Sequence, residues 1–209
     1  MALKSVRPVL TSVFLFFVLC TALIPTYPVR SLGNSPYSEN LPLLNVFVSQ
    51  VKNDQSDQLR GVYIPDILAA PIVQQSKENN GFVSLKQNVV TQFGLASRFG
   101  AIGLLAHNNL AGASFSQLET DEKIYLIYGD GQISTFVVTE ILRYQALKPN
   151  STSSKFIDLS TNDLLKASEV FSKVYDRQGQ VIFQTCISKG DEPSWGRLFV
   201  IAEPYSLKP

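Results

Sequence analysis

From residue 43 onward the chain consists of short apolar, β-branched segments separated by turn residues. That punctuation limits the folds open to it. Leu43–Val51 reads as a strand, followed by the turn-like Asn53-Asp54-Gln55-Ser56-Asp57. Gly61–Ile64 is a second strand, stopped by Pro65, and Pro71-Ile72-Val73 begins a third. Gly103–His107 is a small apolar strand that ends on the single histidine. Ile124–Tyr128 and Ile133–Ile141 flank Gly129-Asp130-Gly131, and Asp-Gly between two such runs is a strong hairpin signal. Val181–Cys186 and Leu198–Ala202 complete the series. Helical stretches are few: Val89–Arg98, Ser114–Leu118 and Thr161–Val170. The last follows Ser160-Thr161-Asn162-Asp163, which reads as a capping box. Many short strands with few helices point to an antiparallel barrel or sandwich. At 209 residues one domain is the expectation. A 45% apolar content excludes a disordered chain.

The N-terminus has a different character. Lys4 and Arg7 precede an apolar run from Val9 to Ile24, and the uncharged span extends from Pro8 to Val29. As a helix that span would reach about 33 Å, enough for a bilayer core of ~30 Å. Basic residues on its N-terminal side predict an N-in, C-out orientation. A cleaved signal peptide is the rival reading. Either one places the body outside the cytoplasm. The reading adopted divides the chain into a signal anchor over 1–30, a spacer rich in Pro, Gly, Ser and Asn over 31–42, and a folded body over 43–209.

The overall charge is +1, and residues 1–34 hold Lys4, Arg7 and Arg30 with no acid, which leaves −2 for the body. A slightly acidic body argues against a nucleic-acid partner, which normally meets a basic face. Two cysteines are present, Cys20 in the apolar run and Cys186 in the body. A bridge between them would tie the anchor to the body, so Cys186 is expected to be a free thiol. Two roles are open to it, a small buried hydrophobe and a reactive thiol.

His107 and Cys186 each end an apolar strand, and Arg197 opens the next strand after a loop of about ten residues. A thiol near pKa 8.5 is mostly protonated at neutral pH. A nearby imidazole and a fixed guanidinium both favour the thiolate. The arginine can also stabilise an oxyanion. One His, one Cys and one Arg therefore suffice for thiol acyl transfer. A second reading is equally open, in which His107 caps a strand and Arg197 is a solvated charge, and spacing alone does not choose.

The motifs around these residues resemble those of the sortases, membrane-anchored transpeptidases of bacterial surfaces. Phe183-Gln184-Thr185-Cys186 is similar to the family's Leu-x-Thr-Cys strand end, with Phe in place of Leu. Gly196-Arg197-Leu198-Phe199-Val200-Ile201-Ala202 follows as the Arg-containing strand does. Leu104-Leu105-Ala106-His107 leads to Gly112, Phe115 and Leu118, similar to the family's Gly-x-x-Phe-x-x-Leu after its histidine. Ile64-Pro65-Asp66-Ile67 through Pro71-Ile72-Val73 is similar to the early Ile-Pro strand and its continuation. The resemblance covers about residues 43–204. Two departures stand out: Ala106 where a glycine is usual, and Asp121-Glu122 where Gly-Asp is common.

The resemblance implies a mostly β fold, a closed antiparallel sortase-type barrel. It implies that Cys186 attacks the Thr–Gly bond of a C-terminal Leu-Pro-x-Thr-Gly-like sorting signal to form a thioacyl enzyme. His107 would act as acid and then base, and Arg197 would hold the carbonyl or oxyanion. Thr185 and Ala106 would contact substrate. Partners would be surface proteins bearing the signal, and an amine from a peptidoglycan cross-bridge or a lysine. No cofactor is implied. The calcium-binding carboxylate cluster of some sortases has no match here, and Asp121, Glu122 and Asp130 read as loop charges. The enzyme would sit on the outer face of the cell membrane. Two alternatives remain: a sortase-fold peptide-binding domain without turnover, and a caspase-like protease. Gln184-Thr185-Cys186 faintly matches the caspase signature, but Ser188 stands where that pattern needs glycine.

Overall fold

The computed structural model describes residues 41–206, apart from 77 and 152. The expected anchor over 1–30 and nearly all of the 31–42 spacer lie outside the described residues. Among the described residues no helix is long and apolar enough to cross a membrane.

Ten strands follow in chain order: β1 Leu59–Ile64, β2 Leu68–Gln74, β3 Val90–Phe93, β4 Ile102–Leu105, β5 Lys123–Tyr128, β6 Ile133–Ala146, β7 Lys155–Asp158, β8 Leu164–Lys166, β9 Val181–Lys189 and β10 Glu192–Pro204. Among the described residues three α-helices accompany them: α1 Leu44–Val51, α2 Gly112–Phe115 and α3 Ala167–Tyr175. The sheet order is β10-β9-β4-β3-β2-β1-β5-β6-β7-β8, and β10 also pairs with β6. That last pairing closes eight strands into a barrel and leaves β7 and β8 as an extension. Closure removes the open edges of a flat sheet. The barrel is mostly antiparallel, as expected, but β2–β3 and β4–β9 pair in parallel.

Alternation along the strands builds two cores. Inside the barrel lie Val62, Ile64, Leu104, Ala106, Phe183, Leu198 and Val200, among others. Outside it, Leu105, Tyr144, Ile182, Phe199 and Ile201 pack under α3. That helix buries Val170, Phe171, Val174 and Tyr175, a stripe that fits a 3.6-residue period. The barrel wall thus carries apolar residues on both faces around β9 and β10, which explains why those strands read as continuous hydrophobic runs.

Several sequence expectations need correction. Leu43–Val51 is helix α1 rather than a strand. Its β-branched residues suggested extension, but Phe47 and Val51 lie one turn apart and are buried against Ala69 and Ile127. Val89–Arg98 is not helical: it holds strand β3 followed by a 3-10 turn over Ala96–Phe99. The Thr161–Val170 helix begins later, at Ala167, after strand β8. The helix starts instead after Lys166, whose N–H donates to the Glu169 carboxylate at 2.6 Å. Ser160 instead donates to Asp158 through both its N–H and its hydroxyl.

The hairpin at Gly129-Asp130-Gly131 forms as expected. Gly131 takes φ +88 and its N–H donates to the Tyr128 carbonyl at 2.9 Å. Asp121 holds φ +71. It stands where the resembling family commonly has glycine, and Asp is among the few non-glycine residues that tolerate this region.

Candidate active site

The segment between Cys186 and Arg197 is not an open loop. β9 and β10 form one long hairpin turned at Gly190-Asp191, and Arg197 lies inside β10 rather than at its start. Arg197 is opposite Cys186 in that ladder and opposite Tyr144 in the β10–β6 ladder. Directly paired residues hold their Cβ atoms about 4.5–5.5 Å apart. Ile182 belongs to the outer core and Gln184 accepts a 2.7 Å bond from the Tyr175 hydroxyl of α3. Alternation therefore places Cys186, and with it Arg197, on the outer face of the wall.

β4 runs parallel to β9, with Leu105 opposite Gln184, and the Ala106 N–H donates to the Gln184 carbonyl at 3.3 Å. Two residues further along both chains come His107 and Cys186. Leu105 packs in the outer core and Ala106 in the inner one. His107 continues to the outer side, where its imidazole bonds the Val83 backbone. Val83 itself packs against the outer core. Cys186 and Arg197 are thus paired on two adjacent strands, and His107 follows the end of the third, two residues past Leu105. Ala106 is a core side chain, and Thr185 is buried with its hydroxyl unpaired.

Burial sets the electrostatics. Desolvation lowers the His107 pKa below its ordinary 6.5, against the opposing effect of the Val83 bond. The imidazole is accordingly neutral at pH 7 and able to take a proton. Arg197 is 1% exposed, and desolvation lowers its pKa to about 10, with Glu192 acting the other way. It still carries full charge at neutral pH. Its Nη1 donates to the Ser194 and Gly196 carbonyls at 2.8 and 2.9 Å, and its Nη2 to Pro149 at 3.1 Å. Arg197 therefore draws the hairpin tip and the β6–β7 loop onto one charge. Glu192 accepts from the Ser194 N–H and hydroxyl, which lowers its pKa and fixes a carboxylate near the guanidinium.

The expectation of a free thiol is corrected. Cys186 is disulfide-bonded, and the other end of the bond lies outside the described residues. Thiol chemistry at this position therefore belongs to the reduced chain.

Two residues not singled out from sequence hold the site together. Asn108, next to His107, donates to the Ser188 hydroxyl at 2.7 Å and to the Pro193 carbonyl at 2.8 Å. It joins the histidine loop to the β9–β10 hairpin. The pairing partner Tyr144 extends the Cys186–Arg197 row, and Lys173 lies over its ring. Neither carries a local sequence signal, because each depends on strand register. Among the described residues there is no cluster of His, Cys, Asp and Glu able to hold a metal.

Gly112 fixes how closely α2 approaches. A Cβ there would meet the Thr185 hydroxyl, and would lie 2.6 Å from the His107 carbonyl and 2.7 Å from that of Ala106. The latter two are main-chain atoms and cannot rotate away. Gly112→Ala is expected to push α2 off the barrel end and cost about 1–3 kcal/mol, as overpacking does. Urea unfolding measures this, and an unchanged midpoint would show that α2 is free to shift.

No protein-family model matches the sequence, and no curated protein does. Among solved structures the chain is similar to several sortases. A lid mutant of Corynebacterium diphtheriae sortase A is 15% identical, with a TM-score of 0.48 over 88% of this chain and 86% of that one. Sortase C1 of Streptococcus suis is 14% identical, with a TM-score of 0.48 over 78% and 81%. A lid mutant of Streptococcus agalactiae sortase C1 is 17% identical, with a TM-score of 0.46 over 77% and 74%. The likeness to these sortases is one of fold.

Proposed function

We propose that this protein is a sortase-type cysteine transpeptidase whose reduced form works through Cys186, His107 and Arg197. The observation that carries the reading is the register of three adjacent strands. Arg197 is paired with Cys186, and His107 follows the parallel neighbour two residues after the Leu105–Gln184 pair. A reductant such as a dithiol supplies two electrons and two protons and frees the Cys186 thiol. The thiol gives its proton to neutral His107, and the thiolate attacks the carbonyl carbon of the Thr–Gly bond in a sorting signal. The imidazolium then protonates the departing glycine nitrogen, the C–N bond breaks, and a thioester remains. His107 next takes a proton from an incoming amine, which attacks the thioester, forms the new amide and expels the thiolate. Arg197 holds the carbonyl oxygen or the charge that develops on it.

Surface proteins bearing a C-terminal sorting signal would be the acyl donors, and a peptidoglycan cross-bridge or a lysine the acceptor. The N-terminal segment would anchor the enzyme on the outer face of the membrane. The disulfide at Cys186 favours one rival, a binding domain without turnover. A single experiment separates the two. The reduced chain is mixed with a Leu-Pro-x-Thr-Gly peptide and its intact mass is measured. An added acyl fragment ending at threonine, discharged by a small amine, is the expected result. Peptide binding without that adduct would leave the binding domain as the correct reading.

A further inference from the structure

Beside Cys186 the barrel end opens into a pocket of about 350 Å³ lined by Asn108, Ser116, Arg143, Cys186, Ser188 and Leu198, among others. Arg143 supplies the one fixed charge among the lining residues. Its polar neighbours are already engaged within the chain. Asn108 donates to Ser188 and Pro193, Ser116 to the Ala113 carbonyl, and Ser188 to Pro193.

Arg143 differs from them. It is exposed, and the ion pairs among the described residues are Lys173–Asp158 and Arg177–Glu140. Its backbone carbonyl accepts from the Leu159 N–H, and its guanidinium makes no ion pair with a described residue. Register gives its position. Leu198 is opposite Arg143 on one side and opposite Thr185 on the other. Arg143, Leu198 and Thr185 therefore form one row on the inner side of the wall, opposite the outer row of Tyr144, Arg197 and Cys186, and Arg143, Leu198 and Cys186 all line the pocket at the barrel end. Two strand spacings of about 4.8 Å place the Arg143 backbone ~10 Å from Thr185, and a long side chain covers much of that gap. An extended peptide advances about 3.3 Å per residue, so residues within about three of the reacting carbonyl fall in reach.

We infer that this pocket is a subsite for an acidic side chain of the acyl-donor peptide, close to the bond Cys186 attacks, with Arg143 as the residue that selects it. A planar guanidinium presents paired donors that match a carboxylate. The two arginines then divide the work: Arg197 is buried beside Cys186 in the strand ladder, and Arg143 is exposed and lines the pocket. The identity of the ligand as a peptide rests on the function proposed above.

The test is made on the full chain carrying Cys186→Ala, with no amine acceptor present. Affinities are compared for Leu-Pro-x-Thr-Gly peptides with Glu, Gln or Lys at x, at low ionic strength. Glu is expected to bind about tenfold tighter than Gln, as a charge-assisted pair at an exposed arginine allows. Lys is expected to bind more weakly than either, and added salt should shrink the ratios. Arg143→Gln in the same chain should erase the Glu preference. Arg143→Glu should turn it into a Lys preference, an inversion that misfolding cannot imitate. Equal affinities for the three peptides, no binding of any, or a Glu preference that survives Arg143→Gln would each overturn the inference. Thioester formation by the reduced wild-type chain is read separately. Its absence beside an intact Glu preference would sink transpeptidation and leave the subsite standing.

Discussion

Cys186→Ala is expected to remove thioacyl formation altogether, a loss of about 10⁴-fold or more, as deletion of a covalent nucleophile produces. The fold should persist, because Cys186 is a small side chain, 6% exposed, at a position where alanine fits. Alanine also cannot enter a disulfide, so the variant behaves identically with and without reductant. The wild-type chain should not: its adduct should appear only after reduction, since Cys186 is disulfide-bonded in this structure. Intact-mass measurement of both chains with and without a dithiol gives all four results. An adduct on the alanine variant would remove Cys186 from the chemistry. An adduct of equal yield on the unreduced wild type would show that the disulfide does not guard the nucleophile.

What the sequence revealed and what it concealed follow from how each signal arises. The β5–β6 hairpin was legible because its turn is local: Gly131 has to adopt φ +88, and the sequence supplies glycine there. The ends of β4 and β9 were legible because apolar runs stop at His107 and near Cys186. Helix α1 was not, because β-branched Val46, Val48 and Val51 mask a helical stripe that only its packing on Ala69 and Ile127 completes. β3 was missed because four residues are too short to show a period. The loop expected between Cys186 and Arg197 is mostly strand, because a two-residue turn at Gly190-Asp191 lets polar residues on both sides pair across the hairpin.

The candidate triad is legible from residue type and motif, but the approach of β4 to β9 depends on parallel pairing between strands far apart in sequence. Arg143, Tyr144 and Asn108 went unseen for the same reason. A residue's row across a barrel is set by strand register, and register is a property of the closed sheet.

Arg197 carries the second large effect, and its surroundings sharpen the expected outcome. Arg197→Ala should lower the rate of thioacyl formation by about 10²–10³, the usual loss when one oxyanion donor is removed. It should also lower stability by about 1–3 kcal/mol, because the carbonyls of Ser194, Gly196 and Pro149 lose a buried donor. The two losses have different readouts. Urea unfolding reports the second. Single-turnover thioacyl formation, scaled to the folded fraction, reports the first. Arg197→Lys should keep the positive charge and recover part of the rate, but a point charge cannot span three carbonyls as the planar fork does. If Arg197 serves only to gather the loops, Arg197→Ala loses stability and peptide affinity while the rate per bound, folded molecule stays at the wild-type value. That result would take Arg197 out of the chemistry and leave it as the clamp between the β9–β10 hairpin and the β6–β7 loop. A large fall in rate with peptide affinity nearly unchanged is the outcome expected of a charge that acts mainly in the transition state.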